Sequence, residues 1–409
     1  MQQVHASAGS AALSWWQRLQ QARAGWLVNP RVHQWASRSV LTRWLVRRRA
    51  HQLFDVMAGF VHTQVLLACL ELDLLVRLQR SGAQGAAALA KTHDVPLDAM
   101  TALLDSAVQL GLLRRRGQRY TLGPLATPLL AHAGIRDMVQ HNALLYADMQ
   151  HPVALMRQPK ASAMHRFWLY TDGSDGRDAP SAAPHHWSAQ GVAAYSGLMA
   201  SSQSFLREQL LQVYPFAQHQ HVMDVGGGQG AWVATLAQRV PGLQLTLVDL
   251  PPVAELAEQR LTSVGLKGRV QCHGLHFGHD NLPVGADLIT LLRVAHDHPD
   301  EVVRQLMQAC WRALPPGGTL LLAEPMAEQP GGAARVDPYY HFYLLAMGQG
   351  RLRTASRIAL LMSEAGFVHI ESLPTSLPMH GGVVIGRKPL DKTQTNAKKT
   401  RVNPMVNLN

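Results

Sequence analysis

Cysteine is scarce. The three thiols in 409 residues, Cys69, Cys272 and Cys310, stand too far apart to form a disulfide framework or a metal-ligand set. No metal is therefore expected, and the thiols read as reduced, in a cytoplasmic-type compartment. Uninterrupted apolar runs are short as well: none approaches the ~18 residues of a membrane span. The N-terminal stretch also lacks the apolar core of a secretory signal. Charge is thin, at 16% of residues against 47% hydrophobic, which is the balance of a soluble globular protein. The length suffices for two or three domains with cores of their own.

Acid is missing altogether from one stretch. Residues 1–50 carry eight Arg and no Asp or Glu, and residues 388–409 carry five Lys or Arg against Asp391. Once these arms are set aside from the net charge of +11, the body between them lies within one charge of neutral. Attraction to a polyanion would come from the arms alone. Five of the nine Trp (Trp15, Trp16, Trp26, Trp35, Trp44) are interleaved with Arg18, Arg23, Arg31, Arg38, Arg43 and the run Arg47-Arg48-Arg49. Trp and Arg on short helical segments suit a membrane–water interface, which makes residues 1–50 a candidate peripheral contact with a membrane. Packing of the Trp on the rest of the protein, or an Arg-rich transit peptide, are the alternatives left open by these residues.

Residues 51–157 read as a mainly helical domain. The stretch 61–78 predicts one long apolar helix. Residues 86–113 predict helix, turn at Asp94-Val95-Pro96, helix, and 113–123 two strands around Gly117. This is the outline of a winged helix-turn-helix. A DNA reader places basic or amide side chains on its second helix, yet 97–113 offers Asp98 and Asp105 and no basic residue. The surface is therefore expected to serve dimerisation, with no nucleic acid bound; a DNA-binding regulator is the competing class. Residues 158–191 turn to Gly, Asp, Ser and Pro and read as a loop, linker or lid. From 192 to 387 strands expected at 221–225, 244–249, 269–273, 286–292 and 319–324 alternate with helices at 229–240, 252–264 and 300–314. An antiparallel pair follows at 367–373 and 381–387. Alternation of this kind predicts an α/β, doubly wound, Rossmann-like sheet whose ligand lies beyond the carboxyl ends of its strands. The tail 388–409 is polar and expected to be disordered.

The glycines of "HVMDVGGGQGAW" (221–232) interrupt an apolar run and let backbone approach a ligand. By themselves they are ambiguous, since Gly226, Gly228 and Ala231 also satisfy the dinucleotide pattern, with Asp249 at the distance of a ribose-binding acid. Three features favour S-adenosylmethionine. Asp224 precedes the glycines to give D-x-G-x-G-x-G, the motif lies behind a helical domain, and "LLRVAHDHPDE" ends the fourth strand.

With "LTLVDLP", "LPPGGTLLLAEPM" and "RTASRIALLMSEAGF" in the same order, the chain resembles, over roughly 51–387, the class I O-methyltransferases that methylate plant phenols and hydroxyindoles. The arm, "VRRRAHQLFDVMAGF" and "FYLLAMGQGRLRT" bring it nearer to the bacterial hydroxyneurosporene (demethylspheroidene) O-methyltransferases of carotenoid biosynthesis. That resemblance implies a homodimer, S-adenosylmethionine as cofactor and a lipophilic, hydroxylated carotenoid as substrate, in an enzyme that is cytoplasmic or peripheral at the inner or photosynthetic membrane. A tetrapyrrole or a small phenol is the alternative acceptor. Residue by residue it implies His296 as general base and Glu324 as the carboxylate that orients it. It also implies cofactor contacts from Asp224, Gly226, Gly228, Gly230, Asp249, Gly274 and Arg293. Leu275, after Gly274, and Leu352, before Arg353-Thr354, stand where the family places acidic residues, which implies a more apolar pocket. Asp297 is expected to cap the helix 300–314.

Overall fold

In the computed structural model the described residues are 15–167, 204–276, 280–377 and 381–390. Contacts divide the chain into two units, Met1–Thr127 and Pro128–Asn409.

The first unit starts with α1 (Trp15–Leu27), α2 (Pro30–Arg38) and α3 (Arg43–Glu71). Asn29 caps α2 by accepting from the Arg31 N–H at 2.9 Å, with Pro30 opening the helix. The basic arm is thus helical in its described part, and no break falls at residue 50, because α3 runs straight through it. Among the described residues, α3 is the one helix long and apolar enough to cross a membrane by length and composition. Asp55 and His62 interrupt its apolar stretch, so a count of uninterrupted apolar residues missed it. Leu53, Phe54, Val56, Met57, Phe60 and Val61 are exposed, whereas Cys69 and Leu70 are buried. The single helix expected over 61–78 is broken at Leu72-Asp73, with Asp73 in the left-handed region (φ 48°). The chain restarts as α4 (Leu74–Ser81), whose Leu74, Leu75 and Leu78 are buried.

The winged motif forms as the spacing predicts. α5 (Ala86–His93) ends at Asp94 (φ 53°), and α6 (Leu97–Gln109) buries Met100, Leu104 and Ala107 along one face. A short strand β1 (Gln84–Gly85) joins the hairpin β2 (Leu113–Arg116) and β3 (Arg119–Leu122) in the order β1-β3-β2. α7 (Ala126–Ala131) spans the boundary between the units.

α8 (Ala133–Met149), α9 (Pro152–Arg157) and α10 (Ala163–Phe167) fall in the second unit, so the boundary expected at 157 lies thirty residues earlier. Residues 158–167 are a 3-10 turn and α10 instead of loop. The remainder of the expected linker, 168–191, and the tail from 391 lie outside the described residues.

After α11 (Ser204–Val213) the chain alternates: β4 (His221–Val225), α12 (Ala231–Arg239), β5 (Gln244–Asp249), α13 (Pro251–Ser263), β6 (Val270–Gly274), β7 (Leu288–Leu292), α14 (Asp300–Ala313), β8 (Thr319–Glu324). Then follow α15 (Ala333–Met347), α16 (Ala355–Glu364), β9 (Val368–Leu373) and β10 (Gly382–Arg387). α15 packs Tyr343, Leu344, Ala346 and Met347 against Leu155 of α9 and Met164 of α10, which is why residues 128–167 belong with this unit.

The seven strands run in the order β6-β5-β4-β7-β8-β10-β9, parallel from β6 to β8, with β10 antiparallel to both of its neighbours. Burial on both faces explains why β7 ("LITLL") and β8 ("TLLLAE") are apolar almost throughout. Side chains alternate between two cores. Ile289, Leu291, Leu320 and Leu322 meet α14 and α16, while Leu288, Leu292, Leu321 and Ala323 meet α11, α12 and α13. Strand order reverses between β4 and β7, the crevice where ligands bind in such sheets.

Trp232 of α12 is 1% exposed and meets Phe216 edge-on, with ring centroids 5.1 Å apart. Trp232→Ala should lower the unfolding free energy by about 3–5 kcal/mol in urea titrations. A loss under about 1 kcal/mol would mean that this core layer is not packed as described.

Candidate active site

The carboxyl ends of five adjacent strands carry the residues singled out in the sequence. β4 leads into the glycine turn, β5 ends at Asp249, β6 at Gly274 and β8 at Glu324, and β7 runs on through Arg293 to a 3-10 turn, Ala295–Asp297, that bears His296.

Gly226 (φ 72°) needs glycine twice over, for its backbone and for space: a Cβ there would stand 2.5 Å from Val294 Cγ2. That contact locks the glycine turn against the segment leading to His296. At Gly228 (φ 55°) a Cβ would meet nothing within 4 Å, so this glycine is the one that borders open space. Gly230 and Gly274 are held by packing, on Leu261 and on Pro251. Asp249, 3% exposed, ties the turn to β5. Its Oδ2 accepts from the Gly228 N–H and its Oδ1 from the Leu250 N–H, both at 2.7 Å. Asp224 lies beneath the turn and accepts from the Thr290 hydroxyl at 2.7 Å. Burial pushes its carboxyl up to about 7, although the Thr290 bond favours the ionised form.

His296 is 2% exposed and Glu324 is fully buried. Glu324 Oε2 accepts from the His296 backbone N–H at 2.9 Å and lies 3.5 Å from ring Nδ1. It therefore grips the peptide more directly than the imidazole. Asp297 is the unexpected neighbour: its Oδ1 lies 2.8 Å from Nε2, and α14 begins after Pro299 without a side-chain cap. The capping role expected for Asp297 is thus replaced by contact with the histidine. Adjacency in sequence hid this, since only the 3-10 turn folds side chain 297 back onto ring 296. Burial by itself would lower the imidazole pKa, but the Asp297 carboxylate, with Glu324 beside it, outweighs burial and raises it to about 9. His296 Nδ1 and Glu324 Oε1 are buried without a hydrogen-bond partner among the described residues. A site with such orphaned polar atoms can receive a hydroxyl.

Arg293 precedes the turn in the left-handed region (φ 56°), a conformation that costs of order 1 kcal/mol for a non-glycine residue. Burial disfavours its charge, but Tyr340 and Tyr343 of α15, together with Asp297, favour it and hold its pKa above the ordinary value. These tyrosines belong to a wall in which Tyr339 donates to Asn142 Oδ1 at 2.9 Å and the Tyr343 hydroxyl lies 3.1 Å from His141 Nε2. Leu275 packs against the core beside β7, and Leu352 against the α15 cluster, so neither brings polarity to the turn. Arg353, absent from the candidates drawn from sequence, donates to the Ala295 and His298 carbonyls that bracket the turn, and Asp300 accepts from Arg353 and Arg357. Their signal, a lone acid and two arginines more than fifty residues downstream, is too ordinary to stand out.

Residues 161–368 match the O-methyltransferase domain and residues 54–132 the O-methyltransferase dimerisation domain. The chain is 39% identical to a demethylspheroidene O-methyltransferase from Cereibacter sphaeroides over 87% of its own length and 92% of that protein. A protein of the same name from Rhodobacter capsulatus is 32% identical over 87% of each chain. Among solved structures, human N-acetylserotonin methyltransferase in complex with SAM superposes with a TM-score of 0.67 at 24% identity, covering 83% of this chain and 98% of that one. The fold is therefore that of the S-adenosylmethionine-dependent methyltransferases. The chain belongs to the O-methyltransferase family.

A heteronuclear titration of the His296 imidazole should give a midpoint near 9, and Asp297→Asn should bring it down to about 6.5 or lower. Because the folded pKa is the higher one, the charged imidazole stabilises the protein fully below pH ~6.5, and this contribution fades as pH rises through about 9. The stability gap between the parent protein and Asp297→Asn should close across that window. A gap that stays constant from pH 6 to 10 would show that no charged imidazole faces Asp297.

Proposed function

We propose that this O-methyltransferase methylates the tertiary hydroxyl of a hydroxylated carotenoid of the demethylspheroidene or hydroxyneurosporene type, in bacterial carotenoid biosynthesis. The observation that carries the reading is 39% identity, over 92% of its length, to a relative bearing that name. Leu275 and Leu352, at positions where related enzymes place acids, agree with a lipophilic acceptor.

The cleft at the strand reversal suits S-adenosylmethionine, which supplies an electrophilic methyl group on a sulfonium when bound. Asp249 presents two carboxylate oxygens, each with a second lone pair beyond its backbone bond, to the ribose hydroxyls. Gly228 offers bare backbone to the methionine part. Gly226, Gly230 and Gly274 allow the close approaches that shape the cleft, Asp224 supports the turn from below, and Arg293 closes the side next to His296.

His296 is the general base, and Nε2 takes the proton as the acceptor hydroxyl displaces Asp297 Oδ1 from it. An aliphatic alcohol is about as weak an acid as water, ~15.7. Once Asp297 has left Nε2, the ring loses the contact that raises it to about 9 at rest, so complete transfer costs up to ~12 kcal/mol, the figure for an ordinary imidazole. Proton transfer accompanies O–C bond formation, and Glu324 steadies the resulting imidazolium.

The dimerisation domain makes a homodimer, and the arm holds it at the membrane where a carotenoid dissolves. Trp15, Trp16, Trp26, Trp35 and Trp44 are all more than half exposed, and Leu53, Phe54, Met57 and Phe60 continue the apolar surface along α3. Guanidiniums among such rings match anionic headgroups.

His296→Ala should cut methyl transfer by about 10²–10⁴-fold while calorimetric binding of S-adenosylmethionine persists. The assay is labelled methyl donor with a pigment extract from a strain lacking the gene, read by mass analysis. Methylation of small phenols but of no carotenoid in that extract would refute the substrate. Removal of residues 1–41, which spares the Thr42 start of α3, should reduce flotation with anionic vesicles in a salt-sensitive manner. Unchanged flotation would remove the arm from membrane contact.

A further inference from the structure

We propose that Arg353 is a positioning residue, which holds the His296 turn in its proton-accepting geometry by clamping the two carbonyls on either side of it. The proposal rests on the reading of His296 as general base.

Arg353 is 3% exposed, and its three donor nitrogens are all engaged. Nη1 donates to the Ala295 carbonyl at 2.7 Å, Nη2 to the His298 carbonyl at 2.7 Å, and Nε to Asp300 Oδ1 at 2.8 Å. Ala295 and His298 bracket His296 and Asp297, so one planar guanidinium spans the whole turn. The segment carrying it adds a fourth tie, because the Arg351 N–H donates to the His296 carbonyl at 2.8 Å. Gly350 makes this approach possible, since a Cβ there would stand 2.7 Å from that same oxygen. His296 is thus held at both ends of its peptide, by Glu324 at N–H and by the 350–353 strap at C=O.

The strap is itself anchored to the strand that supplies Glu324. The Ala327 N–H, three residues past the end of β8, donates to the Arg353 carbonyl at 2.8 Å. Asp300 is shared with Arg357, whose Nε donates to Oδ2 at 3.0 Å, so the carboxylate that aims Arg353 is fixed from its other side. Burying a guanidinium is costly, and a structure that needed only a filled volume would do better with an apolar side chain. A forked donor is required where three acceptors in different directions must be met at once, which lysine cannot do.

The imidazole faces Asp297 on its own turn and Glu324 from β8, with the charge of His298 at the end of the turn interacting with it; Arg353 acts on His298, and Arg293 faces Asp297. Lysine at 353 keeps the charge and loses the fork, so any change in the imidazole reports geometry. Loosening the turn lengthens the contact of Nε2 with Asp297 and returns the imidazole toward ordinary basicity.

Arg353→Lys should leave the affinity for S-adenosylmethionine within about 3-fold. It should lower kcat by roughly 10–100-fold with little change in acceptor KM, and move the His296 titration midpoint down by about a unit or more. The midpoint is followed in ¹³C-histidine-labelled, full-length protein through the signal that disappears in His296→Gln. Should Arg353→Lys fail to fold, Asp300→Asn keeps Arg353 and frees its aim, and the same displacement in the same direction is expected. A folded variant with kcat and midpoint both unchanged overturns the proposal. Because the titration is read without turnover, activity surviving in His296→Ala would sink the base assignment while leaving the clamp to be judged on the midpoint.

Discussion

A carboxylate with no exposure to solvent, Glu324 at the end of β8, accepts the backbone N–H of His296 at the end of the neighbouring strand. The rest of the site depends on that bond. It fixes the entry to the 3-10 turn, and the register of β8 against β7 fixes Glu324 in turn, through pairs such as Leu292 with Ala323. Gly226 against Val294 then sets how far the glycine turn stands from the same segment. Two contacts between adjacent strand ends therefore determine the distance between the cleft bordered by Gly228 and the imidazole, before any substrate is considered.

The electrostatics follow from burial. An imidazole in a dry environment would ordinarily be neutral, and here two carboxylates reverse the preference. At the neighbouring His298 burial, joined by the His296 and Arg353 charges, outweighs the same two carboxylates and lowers the pKa. Two histidines two residues apart are thus driven in opposite directions, according to whether the acids or burial prevail. Environment, more than residue type, sets the proton affinity that the proposed chemistry uses.

Much of the catalytic unit was legible in the sequence because its signals are local. The glycine turn, the apolar β7 and β8 and the alternation with helices each announce themselves within about ten residues, and their observed bounds lie within two or three residues of those expected. What was not legible depends on contacts distant in sequence or on a single backbone angle. Asp73 breaks a helix that composition would continue, and only its left-handed φ reveals the break. Residues 128–157 look like a continuation of the winged domain, and only their packing with α15 assigns them elsewhere. Asp297 reads as a helix cap because S/T/D/N before a helix so often is one. The Arg353 bonds reach back more than fifty residues, beyond any local pattern.

α3 carries Trp44 and the basic run Arg47-Arg48-Arg49 at one end and runs unbroken to Glu71. Its 29 residues make a rod about 43 Å long, a third of it set among basic residues and its far end seated beside α4 and α6. A joint at residue 50 would let the basic stretch swivel and search. An unbroken rod does the opposite: whatever orientation Trp44 and the basic run adopt is handed along the helix to the end seated beside α4 and α6 as a fixed tilt, so that settling one end determines the attitude of the other.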